Sequence, residues 1–163
     1  QVQVMYADAL LELKEYKKAE TFYKEALQGK KSFMKSKKSS LNDSNDDVTI
    51  TTDVEIKYKM HLCYLQTQQP TLAVNVLQSI PAKQRTPKLN LALAKLYQRA
   101  GMERPAVTCY KEVLKACPLS IETAETLMHL GVKGKEIQEL TLDVSMLSNK
   151  ATKSFYTLVT HCL

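Results

Sequence analysis

The sequence of 163 residues is poor in the residues that form tight turns, with four glycines and five prolines. An all-β protein needs many such turns, so this scarcity excludes that class and predicts helices. No run of eighteen apolar residues occurs, and the first residues, QVQVMYAD, lack the blocks of a signal peptide. We therefore expect a soluble all-α protein without a membrane partner. Because the chain begins at Gln and stops within an apolar pattern, we also expect it to be part of a longer protein.

The sequence also lacks the motifs of common catalytic and metal sites. Its histidines are His61, His129 and His161, and its cysteines are Cys63, Cys109, Cys117 and Cys162. No H-E-x-x-H, G-x-S-x-G or P-loop segment is present, and no cysteine pair has the C-x-x-C spacing. These absences predict a protein that is not an enzyme and uses no cofactor or metal. The cysteines lie in apolar helical patterns, which predicts small buried side chains in a reducing compartment.

The chain is basic, with a net charge of +6 and a pI near 9.1. Such a balance is compatible with a nucleic-acid partner, but solvated lysine faces of helical proteins give the same value. Binding to nucleic acid would fall steeply with salt concentration and would be measurable at about 50 mM salt. We expect no nucleic-acid partner.

An internal repeat of helical hairpins dominates the sequence. Apolar stripes interrupted by short breaks recur in YADALLELKEYKKAETFYKEALQ and in KLNLALAKLYQRAGMERPAVTCYKEVLKACP, at the spacings of the tetratricopeptide repeat (TPR). The predicted packing positions are Ala19, Tyr23, Tyr64, Ala73, Ala94, Tyr97, Gly101, Ala106, Tyr110 and Pro118. The alanines stand where paired helices approach closely, Gly101 supplies a turn, the tyrosines fill space and Pro118 stops a helix. His61 stands where the middle copy should have a small residue. The pattern predicts an α-α superhelix, a TPR solenoid of antiparallel helical hairpins.

The predicted boundaries make residues 1–163 a single TPR domain. Its repeats span about 1–29, 53–81 and 87–118, followed by a degenerate hairpin at 119–148 and the start of a further helix at 150–163. Ala73 and Ala106 are 33 residues apart, close to one repeat, whereas Ala19 and Ala73 are 54 apart. The surplus falls in residues 30–52, whose lysine, serine and Asn/Asp clusters predict a mobile inserted loop.

An array of helical hairpins presents a concave wall, lined mainly by the first helix of each hairpin. The residues expected on that wall are Tyr58, Leu62, Leu65, Lys88, Leu91, Lys95, Gln98 and Arg99. This mixed basic and apolar surface leaves two uses open. One is assembly with other proteins, and the other is an adaptor that binds acidic peptide tails.

The dipeptide Thr86-Pro87 predicts an N-cap followed by proline at the first helical position. It is also a minimal proline-directed phosphorylation site, although the capping role already accounts for it.

Several segments that are not general TPR signatures resemble one protein family. They are VEIKYKM at 54–60, QRTPK at 84–88, ERP at 103–105, YKEVL at 110–114, CPL at 117–119 and VKG at 132–134. On these segments the chain resembles the N-terminal TPR region of the family of anaphase-promoting complex (cyclosome) subunit seven. The resemblance implies a non-catalytic scaffold in a multisubunit cell-cycle ubiquitin ligase of the nucleus and cytoplasm. It also implies a homodimer through the N-terminal repeats and stacking on other TPR subunits.

Overall fold

The computed structural model describes residues 2–36 and 46–142, in which every regular element is helical. The helices are α1 (Val2–Glu12), α2 (Tyr16–Ser36), α3 (Asp46–Gln66), α4 (Pro70–Gln78), α5 (Pro87–Arg99), α6 (Glu103–Ala116), α7 (Ile121–His129) and α8 (Gly134–Leu142). A short 3₁₀ turn, Ala82–Gln84, precedes α5. The prediction of an all-α fold built from helical hairpins is confirmed.

The chain divides into two compact units, an N-terminal unit (Gln1–Arg85) and a C-terminal unit (Thr86–Leu163). In the N-terminal unit, α1 packs on α2, α2 on α3 and α3 on α4. In the C-terminal unit, α5 packs on α6, and α7 and α8 pack on α6 and on each other. Most helices therefore contact chiefly their neighbours in sequence, as expected for a repeat protein, whereas α8 packs on α6 as well as on α7.

The four helix pairs are joined by turns of one kind. In each turn the second residue after the first helix has a positive φ: 61° at Lys14, 58° at Gln68, 70° at Gly101 and 83° at Gly131. The amide of the following residue donates to the carbonyl oxygen of a buried residue in the first helix, for example Met102 N to Tyr97 O at 2.9 Å. This pairing is the Schellman motif, which satisfies the last carbonyl groups of a helix.

The second helix of each of the first three hairpins places an alanine at its fourth position. These residues are Ala19, Ala73 and Ala106, and each is fully buried. In α8 the fourth residue is Ile137, so that hairpin departs from the repeat signature at this position. Because alanine has the smallest apolar side chain, its helix can approach its partner more closely there than with isoleucine.

Prolines and one threonine mark the helix starts. Pro70 and Pro87 are the first residues of α4 and α5, and Pro105 is the third residue of α6. Thr86 caps α5, because its hydroxyl accepts a hydrogen bond from the amide of Leu89 at 3.4 Å. The predicted N-cap at Thr86 is confirmed.

The predicted loop at 30–52 is too long at both ends. Helix α2 continues to Ser36 and α3 begins at Asp46, so helical backbone extends into both ends of the predicted segment. Lysine and methionine at 30–36 favour helices without an apolar stripe, and a prediction based on stripes misses such an extension. Residues 48–52 are all β-branched and have low helix propensity, so no sequence signal marks the start of α3 at Asp46. The centre of the loop, 37–45, and the helix predicted from residue 150 lie outside the described residues. In the part of the chain that the structure describes, no helix is long and apolar enough to cross a membrane.

Candidate protein-interaction surfaces

The predicted packing positions lie mostly inside the two units. Ala19, Tyr23, Tyr64, Ala73, Ala94, Tyr97, Ala106 and Tyr110 are buried. Gly101 lies in an exposed turn, where its φ of 70° suits a residue without a Cβ. Pro118 is half-buried and follows the end of α6 by two residues.

The residues predicted for the concave wall lie in two sets, one in each unit. On α3 of the N-terminal unit, Tyr58, Leu62 and Leu65 are half-buried. The ring of Tyr58 contacts the buried ring of His61 at a centroid distance of 4.5 Å, and the Nδ1 atom of His61 lies against the carbonyl oxygen of Tyr58. His61 occupies the position in α3 that Ala94 occupies in α5, because each lies seven residues before the positive-φ residue of the turn that follows.

The second set lies on α5 of the C-terminal unit. Leu91 is half-buried, whereas Lys88, Lys95, Gln98 and Arg99 are exposed.

Two polar members of this α5 set already have partners within the chain. The Nζ atom of Lys95 lies 3.3 Å from Oε1 of Glu122 on α7, and the Tyr110 hydroxyl donates to Oε1 of Gln98 at 2.8 Å. Burial raises the pKa of Tyr110, and the nearby charge of Glu122 adds to the effect, so this hydroxyl stays a donor at neutral pH. A ligand that uses Lys95 must compete with Glu122.

Sequence reasoning missed a polar cluster that joins three helices of the N-terminal unit, formed by Asp8, Tyr23 and Lys59. Lys59 Nζ on α3 donates to Oδ1 and Oδ2 of Asp8 on α1 at 3.0 and 2.9 Å. The fully buried Tyr23 on α2 donates its hydroxyl to Oδ1 of Asp8 at 2.5 Å. Burial, followed by the hydrogen bond to Asp8, raises the pKa of Tyr23. Asp8 and Lys59 are 51 residues apart, so no local pattern could have paired them.

Burial by itself lowers the pKa of Lys59. The hydrogen bond and charge of Asp8, with help from Glu55 at 3.4 Å, outweigh burial and raise that pKa. The ammonium therefore keeps its proton throughout the physiological range and holds α3 against the first hairpin.

Helix α1 and its following turn carry an exposed apolar surface, which we call the α1 face: Val2, Met5, Tyr6 and Leu13. Their exposed fractions are 80%, 72%, 53% and 72%. At about 100° per residue these four positions fall within roughly a third of the helix circumference. Tyr6 also contacts the ring of Phe22 on α2 edge-on, with centroids 4.8 Å apart, which holds the tyrosine in place. Exposed apolar side chains grouped on one side of a helix make the α1 face a candidate protein-binding surface.

Comparison with known proteins gives one repeat family and one group of relatives. A family model described as tetratricopeptide repeat matches residues 1–31, which include all of α1, the turn after it and most of α2. Anaphase-promoting complex subunit 7 of Homo sapiens and that of Mus musculus are each 43% identical over 149 residues, or 88% of this chain and 26% of each relative. The subunit 7 of Arabidopsis thaliana is 28% identical over 146 residues, or 82% of this chain and 25% of that protein.

The chain thus spans about a quarter of the length of these curated relatives. The relatives carry the name that the motifs at 54–60, 84–88 and 110–114 had indicated from sequence. A tetratricopeptide repeat is therefore shown at residues 1–31 of an all-helical chain of hairpins, and the predicted resemblance to anaphase-promoting complex subunit 7 is confirmed.

Proposed function

We propose that the chain is a non-catalytic scaffold segment of an anaphase-promoting complex subunit, and that it joins two copies of itself through the α1 face. The sequence similarity over 88% of the chain supports membership of the anaphase-promoting complex, and the exposed apolar stripe of α1 supports self-association. In this role the chain contributes no ubiquitin-transfer chemistry to the ligase. It positions other TPR subunits. The complex acts in the nucleus and cytoplasm, and fluorescence microscopy of the tagged full-length protein would test this location.

A symmetric dimer fits the α1 face, because the same patch serves both copies in a two-fold interface. Met5 and Leu13 lie near opposite ends of the stripe and are each largely exposed, so burial against a second copy removes much apolar surface from water. A stable dimer buries about 800 Å² on each partner, so polar neighbours of the stripe must also take part.

Sedimentation equilibrium of the chain at tens of micromolar tests the dimer directly. We expect a dimer for the parent sequence and a monomer for Met5→Glu combined with Leu13→Glu, because both charges would be buried unpaired. Leu119→Glu is the matched control, since Leu119 is also an exposed leucine but lies after α6, and it should remain dimeric. A strictly monomeric parent chain, or a dimer unaffected by the α1 substitutions, would refute the proposal.

A second candidate function is an adaptor that binds acidic peptide tails. It is supported by the exposed cations Lys88, Lys95 and Arg99 on α5. Under this alternative, Lys95→Glu with Arg99→Glu abolishes capture of an acidic peptide, and the same charge change at Lys133 and Lys135, which are exposed near the start of α8, has little effect. If the α5 reversal leaves peptide capture unchanged, the adaptor is excluded.

A further inference from the structure

Met5 is the most exposed methionine among the described side chains, and it lies within the α1 face. Its side chain is 72% exposed, whereas Met60 in α3 is 5% exposed and Met102, just before α6, is 40% exposed. Met128 in α7 is half-buried. A thioether is oxidised only where a peroxide can reach its sulfur, so Met5 is the methionine that a peroxide reaches most easily.

The neighbours of Met5 on α1 leave its sulfur open. The residue one helical turn further along is Ala9, which is itself exposed and too short to cover a methionine. Val2, three residues earlier, is 80% exposed. The ring of Tyr6 is held against Phe22 on α2. A small oxidant therefore reaches the thioether of the free chain without any unfolding.

Helix α1 has few groups that could bind an oxygen added to this sulfur inside an interface. Its charged residues are Asp8 and Glu12, and it contains no lysine or arginine. Asp8 already accepts hydrogen bonds from Lys59 and Tyr23, and an ionised carboxylate has no hydrogen to donate. Because a two-fold interface places the same patch of both copies face to face, α1 of the second copy brings no cation either.

From these observations we infer that Met5 is a redox-sensitive modification site, at which oxidation of the thioether to the sulfoxide by hydrogen peroxide separates the two copies of the chain. The inference rests on the dimer proposed above and adds its regulation.

The reaction is a two-electron oxidation of the sulfur. A lone pair of the Met5 sulfur attacks one oxygen of hydrogen peroxide, so that the S–O bond forms and the O–O bond breaks. The proton on the transferred oxygen passes to the departing hydroxide, which leaves as water, and the peroxide is thereby reduced. A methionine sulfoxide reductase supplied with a thiol reductant restores the thioether, so the modification is reversible.

Oxidation should take place on the free chain. In the dimer the second copy covers the thioether, so a peroxide meets the sulfur chiefly after dissociation. Oxidised chains are then withdrawn from the pairing equilibrium by mass action. To pair again, each copy would have to bury a sulfoxide oxygen without a charged donor, which weakens pairing by roughly tenfold per copy and about a hundredfold per dimer.

Treatment of the full 163-residue chain with hydrogen peroxide, followed by sedimentation equilibrium over a concentration series, tests the inference. Mass spectrometry of peptides should place the sulfoxide on Met5, and the dissociation constant of the dimer should rise about a hundredfold. Met5→Leu is the matched control, because leucine has a similar volume and cannot be oxidised. This variant should keep its dissociation constant after the same treatment, although Met102 remains available to the peroxide.

The rate of oxidation gives an independent check. Sulfoxide formation at Met5 should slow as the chain concentration rises above the dissociation constant, because pairing covers the sulfur, whereas the rate at Met102 should not change. Met5→Gln, which places a polar side chain of similar length at this position, should weaken pairing without peroxide. Treatment of the oxidised chain with methionine sulfoxide reductase should restore the dimer.

The possible outcomes separate this inference from the dimer on which it rests. A treated chain that stays dimeric with the sulfoxide on Met5 would overturn the inference and leave the proposed dimer intact. Equal dissociation of the treated parent chain and of Met5→Leu would also overturn it, because another residue would then be responsible. A chain that is monomeric before treatment would refute the dimer itself, and the inference with it.

Discussion

The cluster of Asp8, Tyr23 and Lys59 gives the sharpest test of how the N-terminal unit holds together. Lys59 donates two hydrogen bonds to Asp8, at 2.9 and 3.0 Å, and the side chains are 25% and 38% exposed. Hydrogen bonds to charged groups contribute about 1.5–3 kcal/mol when buried, and exposed ion pairs contribute about 0–1 kcal/mol. For this partly exposed pair we expect a coupling free energy of about 1 kcal/mol.

A double-mutant cycle measures that coupling. The variants are Asp8→Asn, Lys59→Met and the two together, because each keeps the approximate shape of the side chain it replaces and removes its charge. Urea unfolding followed by circular dichroism gives the free energy of unfolding of each variant. The control cycle uses Glu15→Gln and Lys18→Met, a pair 3.4 Å apart with side chains 53% and 66% exposed, where coupling should be close to zero.

The reasoning fails if the Asp8–Lys59 coupling is below about 0.3 kcal/mol, the usual error of additivity, or if it equals that of the control pair. The pH dependence of the free energy of unfolding at alkaline pH gives a second check. Because the pKa of Lys59 in the folded chain lies above its ordinary value of 10.5, its contribution is present below that pH and declines above it, when the folded ammonium also loses its proton. Lys59→Met should remove that part of the pH dependence.

Three further results are expected from unfolding experiments. Gly101→Ala should destabilise the chain by about 1–2 kcal/mol, because φ is 70° there although a Cβ would meet open space. Gln68→Gly, at φ 58°, should instead stabilise the chain. A stabilising Gly101→Ala or a destabilising Gln68→Gly would contradict this account of the turns. Ala106→Leu should cost about 1–3 kcal/mol by overpacking α6 against α5, while Ala116→Leu at an exposed site of α6 should change stability by less than about 0.5 kcal/mol. Burial raises the pKa of Cys63 from 9.0 to about 11, so stability should fall between these pH values as the unfolded thiol ionises first, and Cys63→Ala should flatten that slope.

Local sequence patterns were enough to predict the class of the fold and much of its repeat. Ala19, Ala73 and Ala106 could be aligned because close helix approach restricts the residue size at one position, and that restriction leaves a mark on the sequence. The prolines in the first turns followed from backbone chemistry, since a missing N–H is harmless there. The cap at Thr86 followed from the preference for a side-chain oxygen that accepts a hydrogen bond from an amide of the first turn. The same local rules gave the turn at Gly101.

Tertiary structure alone decided the contacts between distant residues. No local rule pairs Asp8 with Lys59 across 51 positions, or Lys95 with Glu122 across 27, because a polar side chain on a helix has many distant candidates and only packing selects one. Gln68 adopts a positive φ without being glycine, because the hydrogen bonds of the turn and the packing of both helices outweigh the local cost. The α1 face likewise became visible only when Leu10 and Ala7 were seen to fill the core, which leaves Met5 and Leu13 in solvent.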